Sequence, residues 1–246
     1  MSNFLEDITD PDKAYLTIDQ NTEEWYKMRL GRFTASEIYK LMTTAKRPMT
    51  AKELEAAKKS GSKARTIEDA TILSDGAITY VKMKVAEILT GESSSTPMSY
   101  ALAHGKNMEP MAVTHFSEVM GVEVQPAVFI PFSTIAGGSP DGLVGDNAIL
   151  EVKCPYEAKN QVDYLLIKSP LELFVSNPEY WYQCQANLLF SKREFCYFAT
   201  YDPRFQDDKH KMKILEIRPD VNDQDRILKK IEAAQKMKDE ILDSLK

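Results

Sequence analysis

Cysteine is scarce. The 246 residues hold three, Cys154, Cys184 and Cys196, an odd number with no CxxC pair. That argues against a disulfide-stapled secreted scaffold and a structural zinc site, and makes reduced thiols the default. Long apolar runs are missing as well: none approaches the ~20 residues that cross a bilayer. The acidic start, MSNFLEDITDPDK, has no basic-then-apolar leader. A soluble protein of the cytoplasm, with no membrane partner, is the expectation. Positive charge is in deficit, with 31 Lys and Arg against 37 Asp and Glu and a net charge of −6. Such a chain does not coat nucleic acid by bulk charge, although this leaves room for an enzyme with one basic patch. No linker rich in Gly, Ser or Pro divides the chain, so one domain over residues 1–246 is expected.

What is present is enough apolar material, 43% of residues, to bury a substantial core. Residues 1–21 read as an irregular lead-in. A helix is expected from Thr22, where T-E-E-W resembles a capped start and carries Trp25, Met28 and Arg29. Thr34-Ala35-Ser36-Glu37 has capping-box spacing, and the helix after it would bury Ile38, Leu41 and Met42. Residues 66–90 carry helical periodicity through Ile72, Ile78, Val81, Val85 and Ile88–Leu89, closing at Gly91. A further helix runs from about Tyr100 to Met120, with a break or restart at Pro110. The period then falls to two. Ala127–Phe132 and Ile149–Lys153 read as adjacent strands joined by SPDGLVGDN. A helix over Pro178–Phe190, strands at Phe195–Tyr201 and Lys213–Arg218, and a C-terminal helix at about 221–245 complete the order. The fold class is α/β (α+β), helices around a short mixed sheet.

Charge is segregated. Residues 40–65 hold eight cations against Glu53 and Glu55, a local +6 inside an acidic chain. A solvated, mobile loop accounts for that, and so does a segment that meets a polyanion; Ser60-Gly61-Ser62 would let it move.

The stretch richest in chemistry is Ser139-Pro140-Asp141-Gly142, followed by Ile149-Leu150-Glu151-Val152-Lys153. Side chains alternate along a strand, so Glu151 and Lys153 share a face. A hairpin returning from Asp141 would set its carboxylate beside Glu151. Two such carboxylates repel and raise one another's pKa unless a cation holds them. Hard oxygen donors with an amine alongside suit Mg²⁺, or Mn²⁺ in its place. Such a site polarises a phosphoryl oxygen, and the lysine can orient or deprotonate a water for in-line attack on a phosphodiester. The plain alternative is a surface ion pair between Glu151 and Lys153.

Glu109 falls in register with Val113, Phe116 and Met120, on an apolar stripe where an unpartnered acid is costly. It either joins the metal site or caps a helix restarting at Pro110. Tyr180, Gln183 and Asn187, at spacings of three and four, form a polar stripe beside the apolar Trp181, Cys184 and Leu188. That stripe is either solvated or set over a scissile phosphate. Upstream, Arg29, Arg32, Thr34 and Ser36 gather at a helix start, where free N–H groups and guanidinium groups bind phosphate.

WYKMRLGRFTASEI (25–38), ALAHGKNMEP (101–110), GGSPDGLVGDNAILEVKCPY (137–156), YWYQCQA (180–186) and YFATYDPRF (197–205) form an ordered set. With them the chain resembles the YqaJ-like viral recombinase family, of the PD-(D/E)xK nuclease superfamily, from Trp25 to about the C-terminal helix. The resemblance implies a central mixed β-sheet flanked by helices. It implies Asp141 and Glu151 as metal ligands, Val152 as a carbonyl ligand, Lys153 on the nucleophilic water and Glu109 as the upstream acid. Tyr180 and Gln183 match the family's motif helix; Arg29, Ser36 and Ser139 match positions that hold a 5′-phosphate, with Arg32 beside them. The activity implied is Mg²⁺-dependent 5′→3′ digestion of double-stranded DNA ends by a homotrimer ring, which hands a 3′ overhang to a single-strand annealing protein. Rival readings are an endonuclease or single-strand exonuclease of the same superfamily, and a DNA-end-binding module without catalysis. The intact Asp141, Glu151 and Lys153 speak against the last. Two features depart from the family pattern: residues about 46–75 look like an insertion, and Ile130–Thr134 lacks an acid.

Overall fold

The computed structural model describes residues 20, 22–69, 71–93, 99–126 and 128–246. The expected lead-in lies almost wholly outside these, as does Ala127, the first residue of an expected strand. Thr22 caps α1 (Glu23–Arg29) as its sequence implies, its hydroxyl accepting from the Trp25 N–H at 3.3 Å. β1 (Phe33–Thr34) leads into a 3-10 helix, Ala35–Lys40. Thr34 makes no side-chain cap there, which corrects the expected capping box: Glu37 is drawn to lysines instead. Ile38, Leu41 and Met42 are buried as expected.

Residues expected to be a basic loop form β2 (Lys46–Pro48), α2 (Ala51–Lys59) and β3 (Thr66–Glu68), with β2 and β3 antiparallel. α3 (Asp75–Thr90) therefore starts later than its periodicity implies; Val81 and Val85 face the core while Ile88 and Leu89 are exposed. α4 (Tyr100–Met120) runs through Pro110 without a break. Its C-cap, Gly121, takes the left-handed conformation that suits glycine.

β4 (Val124–Gln125), β5 (Ile130–Pro131), β6 (Ala136–Gly138), β7 (Gly142–Val144) and β8 (Ala148–Lys153) follow. Then come α5 (Ala158–Leu166), α6 (Pro170–Ser176), α7 (Pro178–Ser191), β9 (Phe195–Tyr201), α8 (Asp208–Lys211), β10 (Met212–Ile217) and α9 (Val221–Ser244). One sheet has the order β10-β9-β8-β7-β4 and another β1-β6-β5. The expected pairing of the 127–132 strand with β8 is thus corrected. β5 pairs with β6, and the neighbours of β8 are β7, hidden inside the SPDGLVGDN connection, and β9. β8 and β9 are parallel and need a long crossover, which α5, α6 and α7 supply.

β8 is the centre of the molecule. Ile149 packs towards the 3-10 helix, α7 and α9, whereas Ala148, Leu150 and Val152 pack towards Ala112 and Phe116 of α4. Each fully buried Leu, Ile or Phe in these two layers contributes roughly 1.5–3 kcal/mol of burial. α9 closes the first layer through Ile227, Ile231 and Ala234. All three cysteines are free. Among the described residues, no helix is long and apolar enough to cross a membrane.

Candidate active site

Glu151 is an acid in the middle of a buried strand, which only partners make tolerable. One partner is a neighbour in the strand and the other comes from a distant helix. Lys153, two residues on and therefore on the same face, places Nζ 2.6 Å from Oε1. Asn187 of α7 donates to Oε2 at 3.1 Å. Asn187 itself is buried, and α7 lies close against β6: a Cβ on Gly138 would collide with Asn187 Oδ1. The Tyr180–Gln183–Asn187 stripe is accordingly an inward-facing one. Gln183 borders the cleft, and Tyr180 lies under the lysine, with Lys153 Nζ 5.1 Å from its ring centre.

The expected hairpin is present. Gly142 opposes Leu150, and the Asp141 N–H donates to Leu150 O at 2.9 Å. The carboxylate Oδ2 accepts from the Val152 N–H at 2.6 Å. Burial and then the charge of Glu151, with Glu109 adding to it, push the Asp141 carboxyl well above the ordinary range. Burial and Glu151 raise Glu109 in the same way. α4 is unbroken at Pro110, so Glu109 caps no helix start; it lines the cleft with the other two acids. Lys153 is held protonated well above its usual value by Glu151 and Asp141, although burial opposes this.

Across an open cleft of about 660 Å³ stands a second wall. Arg29, in the last turn of α1, lies over the Trp25 ring at 4.1 Å and donates from Nη2 to Ser36 Oγ at 3.3 Å. Trp25 Nε1 donates to Ser139 Oγ at 3.0 Å, joining this wall to the segment that carries Asp141. Arg32 does not belong here. After Gly31, whose φ of +68° turns the chain, Arg32 points to Ser133 O at 3.2 Å and over Phe129, outside the cleft. The α-helix start expected at Thr34–Ser36 is instead the six-residue 3-10 helix, with no side-chain cap.

Sequence reasoning missed what holds this wall. The Gly31 N–H donates to buried Glu87 at 2.9 Å, Lys84 bridges Glu87 and Glu37 at 3.0 Å each, and Lys238 of α9 donates to Gly31 O at 2.7 Å. Tyr80 adds its hydroxyl to Glu37 at 3.3 Å. Burial alone would raise the Glu37 carboxyl, but Lys84 and Lys40 bring it down to about 2. Trp25, Gln20, Tyr156 and Tyr164 are further cleft residues that periodicity did not single out.

The donor set has the chemistry of a hard divalent cation site: three carboxylates crowded so that two are pushed towards their neutral forms, which a cation would relieve. Among the described residues, no three His, Cys, Asp or Glu side chains already converge on one point. Each ionised carboxylate offers about four lone-pair sites, so the bonds to Lys153, Asn187 and the Val152 N–H leave room for a further ligand.

The YqaJ-like viral recombinase domain model matches residues 24–194. The chain is similar to the alkaline exonuclease LHK-Exo from Laribacter hongkongensis, at 25% identity and a TM-score of 0.69, covering 91% of this chain and 96% of that one. The LHK-Exo complex with dAMP matches equally well. A phage-related exonuclease from Haemophilus somnus 129PT shares the fold, with 14% identity and a TM-score of 0.65 over 87% of this chain and 96% of that one. No curated protein matches the sequence. With its α/β core of the PD-(D/E)xK type and a family match over most of its length, this chain belongs to the YqaJ-like viral recombinase family.

Proposed function

We propose that this chain is a metal-dependent exonuclease that digests double-stranded DNA from a 5′ end and leaves 3′ single-stranded overhangs for recombination by strand annealing. One observation carries the reading: a single cleft joins Glu109, Asp141, Glu151 and Lys153 to a separate wall of Arg29, Ser36 and Ser139. Hydrolysis of a phosphodiester needs charge stabilised on the phosphoryl group and a water placed in line. Asp141, Glu151 and Glu109, with the Val152 carbonyl, would hold Mg²⁺, or Mn²⁺ in its place. When bound, that ion polarises a phosphoryl oxygen and lowers the pKa of water. Lys153, fixed beside Glu151 at 2.6 Å, would orient or deprotonate that water. Tyr180 and Gln183 would steady the scissile phosphate. Arg29, preset by Trp25 and Ser36, would bind the terminal 5′-phosphate, which carries more charge than an internal diester. LHK-Exo has been solved with dAMP, and a mononucleotide is what stepwise hydrolysis releases.

A homotrimer ring around the duplex and hand-over of the overhang to a single-strand annealing protein in the cytoplasm complete the reading, on the family resemblance. The test is digestion of end-labelled linear duplex beside closed circular DNA and single strands, with Mg²⁺ added or chelated. Release of 5′-terminal label from linear duplex alone, only with Mg²⁺, is the expected result. Cleavage of the circle makes the chain an endonuclease, and preference for single strands removes the duplex-end reading.

A further inference from the structure

The cleft is poor in positive charge. Arg29, Lys106 and Lys153 line it against Glu109, Asp141, Glu151 and Glu157, in a chain of net charge −6. A polyanionic duplex needs positive charge beyond the cleft, and the described residues include a unit in which exposed cations outnumber the carboxylates left over. It is the β2–α2–β3 arm, residues 46–69.

The arm is ordered by its own contacts. A nine-residue helix alone is marginal in water. Here α2 is fixed at its start by a capping box between Thr50 and Glu53 and by Arg47, whose two Nη atoms reach Glu53 at 2.8 Å each. Arg47 Nε also grips Asp69 at 2.7 Å, tying the helix to the base of the hairpin. The Asp69 N–H donates to Ala45 O, and the Met49 N–H to Arg65 O. Ser60-Gly61-Ser62, which would look mobile in sequence, is the helix C-cap: the Ser62 N–H returns to Ala57 O, and Gly61 sits at φ +75°. Arg47 thus consumes two of the arm's four carboxylates. That leaves Lys46, Lys52, Lys58, Lys59, Lys63 and Arg65, all exposed and none ion-paired among the described residues, against Glu55 and Glu68.

These cations are also spaced for a polyanion. Lys52 and Lys59 stand seven residues apart on one face of α2, about 10 Å along its axis, a length over which one strand of a duplex carries about three phosphates. The arm's root is close to the arginine wall: six residues separate Lys40, at the end of the Ser36-bearing turn, from Lys46, at most about 20 Å of chain.

We propose that this arm is a duplex-backbone clamp, which binds phosphates of double-stranded DNA outside the cleft without reading sequence. The inference rests on the nuclease reading above. Its test is a salt titration, from about 50 to about 200 mM, of binding to a short 5′-phosphorylated duplex, with Ca²⁺ replacing Mg²⁺ to suppress cleavage. Wild type is compared with a variant carrying K52Q, K58Q, K59Q and K63Q, and with one carrying Arg at the same four positions. Each phosphate contact adds about 0.9 to the log–log slope, so the Gln variant should flatten it by roughly two to four units. The Arg variant should keep the wild-type slope, and the loss should be equal for unrelated sequences. A Gln variant within about one unit of wild type overturns the clamp, whether the arm is then a solvated face or a dock for an acidic protein. Wild-type protein with no affinity for the duplex overturns both the clamp and the nuclease reading, so the two failures are distinct.

Discussion

The two walls of the cleft are built by different means. On the carboxylate wall, position is a matter of backbone register: Glu151 and Lys153 share a face because they are two apart in β8, and Asp141 meets them because β7 and β8 pair. On the arginine wall, position depends on a relay of buried side chains, from Lys238 to Gly31, Glu87, Lys84 and Glu37, that pins the turn between Arg29 and Ser36. Register survives the loss of a single side chain. A buried ionic relay does not, because a charge left without its partner in a dry interior is costly. The first wall should therefore fail in chemistry while keeping its fold, and the second in fold and end recognition together.

The largest effect expected is on the first wall. Asp141→Ala and Glu151→Ala should each reduce cleavage in Mg²⁺ to background while circular dichroism and elution volume stay those of wild type. Without metal the two should part company. Asp141→Ala relieves crowding among three acids but leaves the Val152 N–H without its acceptor, so its Tm should stay close to that of wild type. Glu151→Ala strips partners from Lys153 and Asn187 and should lower it. Near-wild-type cleavage by either variant eliminates the site.

Lys84→Met tests the second wall at its centre. Lys84 is almost fully buried between two acids, so its removal should cost about 3–5 kcal/mol, a fall in Tm on the order of 10 °C. Urea unfolding would measure it, and a loss under 1 kcal/mol would mean that the relay is not what holds the wall.

Arg29→Ala should act on recognition with little change in stability. A charge-assisted hydrogen bond contributes about 1.5–3 kcal/mol, so the rate ratio between 5′-phosphorylated and 5′-hydroxyl duplex ends should fall by about tenfold or more. Arg29→Lys should recover part of it, lacking the planar fork. An unchanged ratio removes Arg29 from the phosphate site, whereas a similar fall in Lys84→Met would tie the relay to recognition.

The same contrast decides what was legible in the sequence. Asp141, Glu151 and Lys153 could be placed from a turn and a period of two, both short-range signals. β7 escaped because three residues of strand, Gly142–Val144, sit among turn residues. Glu109 could not be assigned until α4 proved continuous through Pro110, since a proline in that pattern reads equally as a new start. Arg29 and Arg32 looked equivalent in sequence, and the positive φ of Gly31 sends them to different places. The arm read as a loop because its strands are three residues each and its helix nine. The relay was out of reach altogether. Lys238 and Gly31 lie 207 positions apart, and no local pattern announces a lysine of an amphipathic helix that turns inward.

The smallest effect expected is a pH dependence located on that lysine. Burial, helped by neighbouring Lys84 and Arg32 and opposed by Asp239 and Glu87, lowers the Lys238 pKa to about 8. In the unfolded chain it returns to about 10.4. Between these values the unfolded state carries a proton that the folded state has released, so stability rises with pH across this window and is flat well below it. The contribution is close to 1 kcal/mol from pH 8 to pH 9, or about 2–4 °C in Tm. Cys154 and Cys196, pushed up by burial, slope the other way above about pH 8.5, because the unfolded thiols lose their protons first. The quantity to measure is therefore the difference between wild type and Lys238→Met. Thermal melts at pH 7, 8 and 9 should show wild type gaining on the variant in both steps, about three times as much in the last. The variant's own offset at pH 7 reflects two opposed changes: it no longer buries a charge, and it leaves Gly31 O without its donor. Parallel curves across all three pH values would show that Lys238 keeps an ordinary pKa and that the second wall is anchored without charge at that end.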